Sequence, residues 1–303
     1  MSSNTFNLML KSGSIIPLDG AWGTELNRYG LPTGAVPEAW NLEQPASVAE
    51  VPRSYAEAGA KIVLTNTFGG NRFKLAKSGL DAKSAEINLA GARISKAAVG
   101  PDVLVFGSVG PSGEFLEPLG TISAADMQAA FCNQVEALVA GGVDGIVVET
   151  MTDLEEALCA LRAAKSVQPS LPVAVTLTYD KGLHGYATMM GVTPRQAAGQ
   201  LEAEGADIIG TNCGNGIENM IEIIRELAAC TTRPLWAKPN AGLPQLVLGK
   251  TVFPATPADM AAQVPALITA GARFVGGCCG TTPAHINAIA EVCLHSSNPD
   301  STI

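Results

Sequence analysis

The sequence lacks the features that mark several large classes of protein. Lysine and arginine number 19 against 28 aspartate and glutamate residues, for a formal charge of -9. Binding to a phosphate backbone depends on clustered basic residues, so a nucleic-acid partner is not expected. No run of about 18 to 20 apolar residues occurs, which argues against a membrane-spanning helix, and the first 20 residues lack a signal-peptide pattern. We therefore predict a soluble, cytoplasmic protein.

Common nucleotide-binding and hydrolytic motifs are also missing. The chain contains no GxGxxG, GxxxxGK[ST] or HExxH segment, so the sequence indicates neither a nucleotide site nor a zinc protease. Three histidines are present, and none is placed as a general base. His285 follows a helix start at Thr282 and Pro283 and is expected at the surface. Seven cysteines, an odd number in 303 residues, suit a reducing compartment better than a disulfide framework.

The sequence does contain a repeated alternation of short apolar runs and helical segments. The runs are continuously apolar, as in parallel strands that are covered on both faces. The segments between them place apolar residues every three or four positions, and several end in glycine just before the next run. The eight runs lie at residues 14–20, 60–70, 103–111, 144–150, 172–180, 206–214, 234–242 and 272–280.

Eight strands of this kind close a (β/α)8 barrel, the TIM barrel, within the usual length of that fold. An open doubly wound sheet is the alternative. We predict one domain over residues 1–303 with short flexible termini, and the oligomeric state stays open. Active sites of such barrels lie at the carboxyl ends of the strands, so the residues that end the eight runs form the candidate site.

Three cysteines end two of these runs. Cys213 ends the sixth run, while Cys278 and Cys279 end the eighth, so they are expected to meet across the tip of the seventh strand. A disulfide between adjacent cysteines is strained, whereas three thiolates and one open position describe a catalytic zinc site. The other four cysteines are expected to be small apolar residues of helices: Cys132, Cys159, Cys230 and Cys293.

A zinc ion on three thiolates favours a soft ligand and lowers the pKa of a bound thiol, which makes that thiol a nucleophile. Activation of water is the alternative, but it needs a nearby general base. Asp19 and Glu149 end two runs and together suit a substrate ammonium, although each alone is equally consistent with a helix cap. Candidates to bind a carboxylate are Asn66, Thr67 and the backbone amides near Gly20 or Ser108. A thiol, an ammonium and a carboxylate together indicate an amino-thiol such as homocysteine or cysteine.

Lys238, near the end of the seventh run, raises one further alternative. A lysine at a barrel strand tip suits a Schiff-base aldolase, but no other residue of this sequence supports that chemistry. A solvated or salt-bridged lysine is therefore favoured.

Seven segments of the chain resemble the zinc-dependent homocysteine S-methyltransferase family, over about residues 14–293. They are LDGAWGT, TNTFGGN, GSVGPSGE, VVETM, GTNCG, KPNAGLP and GGCCGTTPAHI. The family includes the homocysteine-binding domain of cobalamin-dependent methionine synthase, betaine-homocysteine methyltransferase and S-methylmethionine enzymes. Its fold is a (β/α)8 barrel, as the strand count also indicates.

The resemblance implies a role for each matching residue. Cys213, Cys278 and Cys279 match the zinc ligands, and Asp19 and Glu149 match the residues that hold the amino group of homocysteine. Asn240 matches a residue that approaches the zinc in methionine synthase-like members when substrate is absent. The implied reaction is attack of the homocysteine thiolate on a methyl group to form methionine.

The resemblance leaves the methyl donor open among betaine, S-methylmethionine, dimethylsulfonium compounds, methylfolate and a methylcorrinoid. We favour a small onium donor such as betaine because the sequence ends directly after the predicted barrel. Gly69 replaces the tyrosine of animal betaine enzymes, so a different aromatic cage is expected from Trp22, Trp40 and Tyr186. A separate methylcorrinoid protein is the alternative donor. A zinc-binding or thiol redox-sensing protein without methyl transfer is the alternative of another class.

Overall fold

The computed structural model describes residues 2–214, 216–247 and 250–296. Its strands are β1 (Ile16–Pro17), β2 (Ile62–Leu64), β3 (Leu104–Val109), β4 (Gly145–Met151), β5 (Val173–Leu177), β6 (Asp180–Gly182), β7 (Gly185–Ala187), β8 (Ile208–Cys213), β9 (Leu235–Pro239), β10 (Gln245–Val247), β11 (Lys250–Val252) and β12 (Ala272–Val275). Its longer helices are α1 (Ser2–Lys11), α4 (Pro45–Glu57), α6 (Ser84–Ala98), α7 (Ala124–Ala140), α8 (Leu154–Val167), α9 (Pro194–Ala203), α10 (Ile217–Ala228), α11 (Pro257–Thr269) and α12 (Pro283–Ser296). Shorter helices are α2 (Gly23–Arg28), α3 (Trp40–Glu43), α5 (Arg72–Ala76) and the 3-10 turns Pro37–Ala39 and Asp81–Lys83.

Across the described ranges, eight parallel strands pair in the order β1-β12-β9-β8-β5-β4-β3-β2. The two edges of this sheet meet through a parallel bridge between Leu18 and Ile62. Lys61 N donates to Pro17 O at 2.8 Å, and Asp19 N donates to Ile62 O at 3.1 Å. The sheet therefore closes into the predicted barrel, and the open-sheet alternative is wrong. Two antiparallel ribbons, β6–β7 and β10–β11, follow β5 and β9.

Local sequence signals explain where the helices begin and end. Four glycines that precede barrel strands adopt a positive φ, which side chains disfavour: Gly59, Gly142, Gly205 and Gly271. Thr193 and Thr256 form capping boxes at the starts of α9 and α11, each followed by proline at the first helical position. The glycine-terminated helices predicted from the sequence are thus confirmed.

Large aromatic side chains fill the barrel interior toward its amino end. The rings of Phe106 and Trp236 stack at 6.1 Å, and those of Trp236 and Phe274 at 5.6 Å. Phe6 of helix α1 adds a fourth ring, 5.9 Å from Phe106 and 6.3 Å from Phe274. Arg273 holds this helix by donating to the carbonyls of Met9 and Leu10. Helix α1 therefore covers the amino end of the barrel.

The same alternation that directs these apolar residues inward also builds the layer above them. Side chains two positions apart in a strand share a face, so the residues two or four positions after the interior apolar residues face inward as well. In the next layer they are polar: Ser108, Glu149, Thr176, Asn212 and Lys238. The barrel thus changes from an aromatic plug to a polar layer toward the carboxyl ends of its strands.

The termini were expected to be flexible. Residues 2–11 instead form α1, and residues 297–303 lie outside the described part of the chain. The single domain over residues 1–303 stays a prediction. Among the helices that the structure describes, none has both the length and the apolar character needed to cross a membrane.

Candidate metal centre and adjoining cavity

The sulfur atoms of Cys213, Cys278 and Cys279 all lie within 4.8 Å of one another. Cys213 ends β8, and the adjacent cysteines follow β12, on the far side of β9. The sequence prediction that these three residues meet across the tip of one strand is therefore met by the geometry. Zinc–sulfur bonds of about 2.3 Å in a tetrahedron hold sulfurs about 3.8 Å apart, a spacing that this cluster accommodates.

Hydrogen bonds to the end of β9 hold the loop that carries the adjacent cysteines. Cys278 N donates to Pro239 O at 2.7 Å, and Cys279 N donates to Asn240 Oδ1 at 3.0 Å. A Cβ at Gly277 would lie 2.4 Å from the Thr281 side chain. Glycine is therefore required for this loop to turn so closely after its strand.

Asn240 ties the two cysteine-bearing loops together. Its Nδ2 donates to Gly214 O at 2.7 Å, directly after Cys213, while its Oδ1 accepts from Cys279 N. Asn240 is buried and is not among the described residues that line the neighbouring cavity. Its geometry is that of a residue that positions the cysteines.

Two residues at the site adopt a left-handed backbone conformation that residues other than glycine rarely adopt. Cys213 has φ 64° and Thr150 has φ 61°, and such residues cost of order 1–3 kcal/mol each unless their surroundings hold them. Asn212 supplies that restraint, since its Oδ1 accepts from Thr150 N at 2.8 Å and its Nδ2 donates to Thr150 Oγ1 at 2.7 Å. The strain is concentrated where one of the candidate ligands leaves its strand.

Hydrogen bonds among the thiols distribute their charge unequally. Contacts from Cys278 and Cys279 lower the pKa of Cys213 well below the ordinary thiol value. The contact with Cys213 raises the pKa of both Cys278 and Cys279, and burial adds to this effect. The contacts among the three sulfurs therefore favour a negative charge within this cluster. A thiolate beside two further thiols is a donor set that suits zinc.

A cavity of about 440 Å³ opens beside the cysteines. This volume lies within the range of small-molecule sites. The apolar part of its wall includes Ala21, Trp22, Pro37, Leu64 and Phe68. The polar part includes Gly20, Glu38, Thr65, Asn66, Ser108, Glu149, Thr150 and Lys238, together with the three cysteines.

Glu149 brings a buried carboxylate to this wall. Its Oε1 accepts from Ser108 Oγ at 2.5 Å, and its side chain is 7% exposed. Burial raises the pKa of Glu149, while the charge of Lys238 and the Ser108 hydrogen bond act in the opposite direction. Glu149 and Ser108, both predicted from the sequence as site residues, thus act as one bonded unit.

Asp19, predicted as an equivalent partner of Glu149, has a different position. It is fully buried, and among the described residues it does not line the cavity. Its Oδ1 accepts from Lys238 Nζ at 2.5 Å. Burial alone lowers the pKa of Lys238, but Asp19 and Glu149 outweigh it and leave that pKa above its usual value. The salt-bridged lysine favoured from the sequence is confirmed, although the sequence did not indicate that it is buried.

Gly20 and Thr67 occupy different positions around the site. Gly20 lines the cavity, and a Cβ there would lie 2.7 Å from the Tyr55 ring. The Thr67 hydroxyl donates to Ser108 O at 2.7 Å and is buried behind the wall, where it also contacts Thr65 Oγ1. Thr65 itself lines the cavity. The predicted carboxylate contact of Thr67 stays a prediction, and its observed contact is with the backbone of β3 at Ser108.

The predicted aromatic cage is only partly present. Trp22 lines the cavity, and its Nε1 donates to Asp19 Oδ2 at 3.0 Å. Trp40 instead packs against the apolar core, and Tyr186 is buried with its hydroxyl on Glu222 at 2.6 Å. Phe68, which the sequence argument did not single out, lies on the cavity wall and is 37% exposed.

His285 was expected at the surface and is instead buried, with 7% exposure. Its Nδ1 accepts from Thr282 N at 3.2 Å, which leaves Nε2–H to donate to Ala255 O at 2.9 Å. His285 therefore fastens the start of α12 to the segment before α11. The helix-start signal was correct, but it did not show that another loop covers this turn.

Sequence comparisons identify relatives over nearly the whole chain. A family model described as homocysteine S-methyltransferase matches residues 16–293. The chain is 32% identical over 302 residues to a methionine synthase of Mycobacterium tuberculosis, and the match covers 94% of this chain but 25% of that protein. A methionine synthase of Mycobacterium leprae is 32% identical over 289 residues, which cover 90% of this chain and 24% of that protein. The chain thus spans about a quarter of the length of these relatives.

Solved structures show a similar relationship over a whole protein. The metallated form of the homocysteine methyltransferase MmuM from Escherichia coli has a TM-score of 0.78 and 26% identity, covering 95% of this chain and 99% of that one. Its oxidized form has a TM-score of 0.79 and 27% identity over the same shares. The family model covers all eight barrel strands and the three clustered cysteines, and the chain accordingly belongs to the homocysteine S-methyltransferase family.

Proposed function

We propose that this protein methylates the sulfur of homocysteine to form methionine, with a zinc ion held by Cys213, Cys278 and Cys279. The observation that carries the proposal is the cluster of three sulfurs within 4.8 Å of one another, beside a cavity that also holds a carboxylate and a lysine. When bound, zinc on thiolate ligands supplies the Lewis acidity that lowers the pKa of a substrate thiol.

The protein residues orient the substrate and exclude water. Glu149 on the cavity wall binds the substrate ammonium through a charge-assisted hydrogen bond. Ser108 fixes the orientation of that carboxylate through its 2.5 Å contact. Ala21, Trp22 and Leu64 make one side of the cavity apolar, which limits competition by water for the methyl group.

Methyl transfer then consists of one substitution at carbon. The substrate sulfur supplies the electron pair of the new S–C bond, and the leaving group takes the pair of the bond that breaks. A donor with a positively charged nitrogen or sulfur leaves as a neutral amine or sulfide. No proton transfer to the methyl group is needed, so the chemistry requires alignment rather than a general acid.

The donor proposed for this chain is a small onium compound such as betaine. Phe68 and Trp22 present aromatic surface to the cavity, and the buried carboxylate of Glu38 lies on the same wall. A cation over an aromatic face gains about 0.5–2 kcal/mol. Trp40 and Tyr186 lie away from this wall, so the proposed cage rests on Trp22 and Phe68.

A separate methylcorrinoid protein is the second candidate donor. This chain matches about a quarter of each of two methionine synthases, and the other three quarters of those proteins have no counterpart in the match. This similarity favours a donor that is carried by a separate protein. A cytoplasmic location stays a prediction from the sequence.

A donor screen tests the proposal. Zinc-loaded protein is incubated with homocysteine and betaine, S-methylmethionine, a dimethylsulfonium compound, methylfolate or a methylated corrinoid protein, each with an isotopically labelled methyl group. Mass spectrometry then measures labelled methionine. We expect label from an onium donor, and a rise of about 2- to 30-fold in the KM of that donor in Phe68→Ala.

Trp40→Ala is the matched control and should leave the donor KM unchanged, because Trp40 packs against the core. Label from the corrinoid protein alone would replace the onium donor with the second candidate. Binding of zinc without binding of homocysteine would overturn the methyltransferase proposal in favour of a zinc-binding or redox-sensing role.

A further inference from the structure

The buried pair of Lys238 and Asp19 divides the charges of the site unequally. Both oxygens of Asp19 accept hydrogen bonds from the protein. Oδ1 accepts from Lys238 Nζ at 2.5 Å, and Oδ2 accepts from Trp22 Nε1 at 3.0 Å and from Leu64 N at 2.8 Å. Asp19 is also fully buried, and it is not one of the described residues that line the cavity. Its charge is therefore directed at Lys238 and not at the cavity.

Lys238, in contrast, lines the cavity, although only 2% of its surface is exposed. Alternation along β9 places it on the same inward face as Trp236, one layer closer to the cysteines. An ammonium group has three donors and no acceptor, and Asp19 accepts from one of them. Lys238 thus retains donors for a further anionic partner.

Among the described residues, the wall carries one cation and two carboxylates, and one of these carboxylates, Glu38, accepts a hydrogen bond from Gly69 N. The ammonium of Lys238 and the carboxylate of Glu149 are close enough to interact electrostatically. These charges are opposite to those of the carboxylate and the ammonium of a zwitterionic amino acid. A substrate held at both groups has its α-carbon fixed, so its side-chain sulfur is directed to one place. A simple amino-thiol without the carboxylate satisfies Glu149 but leaves Lys238 without its second partner.

We propose that Lys238 binds the carboxylate of the substrate amino acid, while Glu149 binds its ammonium. Lys238 is then a specificity residue that distinguishes amino-acid thiols from simple amino-thiols. The identity of the amino acid as homocysteine rests on the proposed function, whereas the preference for a carboxylate does not require methyl transfer.

The test compares homocysteine with 3-aminopropanethiol, which is the same molecule without its carboxylate. Calorimetry measures the binding of each thiol to zinc-loaded protein without any methyl donor. Wild-type protein should bind homocysteine about 10- to 100-fold more tightly than 3-aminopropanethiol, the range of one hydrogen bond between charged groups. Lys238→Met should abolish most of this difference by weakening homocysteine alone, and Lys238→Arg should restore part of it.

Lys238→Met leaves the buried Asp19 without its ion-pair partner, so the double variant Asp19→Asn with Lys238→Met provides a second test without an uncompensated charge. The same loss of discrimination is expected there. Lys165→Met, which removes a lysine from a different lysine–aspartate pair, should retain wild-type discrimination.

Equal weakening of both thiols in the folded variants would overturn the carboxylate contact, since a purely structural role for Lys238 does not distinguish the two ligands. Retained discrimination in the double variant would overturn it as well. If wild-type protein binds neither thiol, the proposed function fails together with this inference. If wild-type protein binds homocysteine but the Lys238 variants still prefer homocysteine over 3-aminopropanethiol as wild type does, this inference alone fails.

Discussion

The two ends of the barrel carry the same local arrangement in different surroundings. At the carboxyl end, Asp19 accepts from Lys238 and from the backbone N–H of Leu64 on the neighbouring strand. At the amino end, Asp207 accepts from Lys165 at 2.6 Å and from Val173 N at 2.8 Å. Another such arrangement joins Asp144 to Lys96 at 2.7 Å and to Val105 N at 2.8 Å. In each case one carboxylate binds a lysine and an N–H of an adjacent strand.

Burial separates these pairs. The side chains of Lys165 and Asp207 are 23% and 35% exposed, whereas those of Lys238 and Asp19 are 2% and 0% exposed. Water reaches the partly buried pair of Lys165 and Asp207 and screens it, so the contribution of that pair to stability is small. In the enclosed pair each ion depends on the other for compensation of its charge. The difference shows that position above the aromatic plug, and not residue type, encloses one of these pairs and brings its lysine to the cavity wall.

The largest expected effect comes from the cysteines at the carboxyl end. Replacing Cys213, Cys278 or Cys279 by alanine removes one of three ligands, so zinc bound should fall from about one ion per chain to a small fraction, and methionine formation should fall with it. Metal content is measured by plasma mass spectrometry after purification under reducing conditions. Cys159→Ala is the control because Cys159 is buried in α8, and equal zinc loss from that variant while folded would refute the ligand assignment.

At the amino end, the plug should affect stability without affecting the site. Phe6→Ala removes a ring that is 3% exposed and stacked within the barrel, which should lower the free energy of unfolding by about 3–5 kcal/mol. Leu8→Ala in the same helix is the control, since Leu8 is 60% exposed and should cost less than about 0.5 kcal/mol. Denaturant titration measures both, and a change in the zinc content of folded Phe6→Ala would contradict the separation of the two ends.

The barrel could be predicted because its evidence is repeated. Each of the eight apolar runs contains or overlaps an observed strand, and glycine ends the helices where the pattern indicated. Helix α1 and the two antiparallel ribbons were not predicted. Phe6 packs on rings that are distant in sequence, and the ribbons lie outside the repeated strand–helix pattern, so neither has a local signal.

The sequence anticipated that the three cysteines cluster, but it said less about the residues around them. The tips of β8 and β12 lie on either side of one intervening strand, so Cys213 could be joined with Cys278 from topology alone. The difference between Asp19 and Glu149 depends on which carboxylate faces Lys238, and strand position does not specify that contact. Lys238 was singled out only by its position near a strand tip. Alternation in β9 is the signal that would have placed it inside the barrel, because Trp236 and Lys238 share the inward face of that strand.

Two neutral substitutions test whether the carboxylates differ. Glu149→Gln should weaken homocysteine binding about 30-fold or more, because loss of a buried charged partner typically costs about 2–5 kcal/mol. Asp19→Asn should weaken it less than about tenfold, since both oxygens of Asp19 serve the protein. The zinc content of both variants should stay unchanged. Calorimetry measures the affinity for homocysteine, and metal analysis of the same samples measures the zinc content. Equal weakening would restore the equivalent pair expected from the sequence, and no weakening in either would make both residues structural.

The smallest effect is expected from the partly buried lysine–aspartate pair at the amino end. Lys165→Met should lower the free energy of unfolding by less than about 1 kcal/mol, because water reaches both ions and Asp207 keeps its hydrogen bond from Val173 N. Lys238→Met removes the matching lysine at the other end and should cost about 3–5 kcal/mol, since it leaves Asp19 buried without its partner. Urea titrations of the two variants in parallel, with homocysteine affinity unchanged in Lys165→Met, measure the contrast directly. Similar losses of stability in both variants would mean that burial does not distinguish the two ends of the barrel.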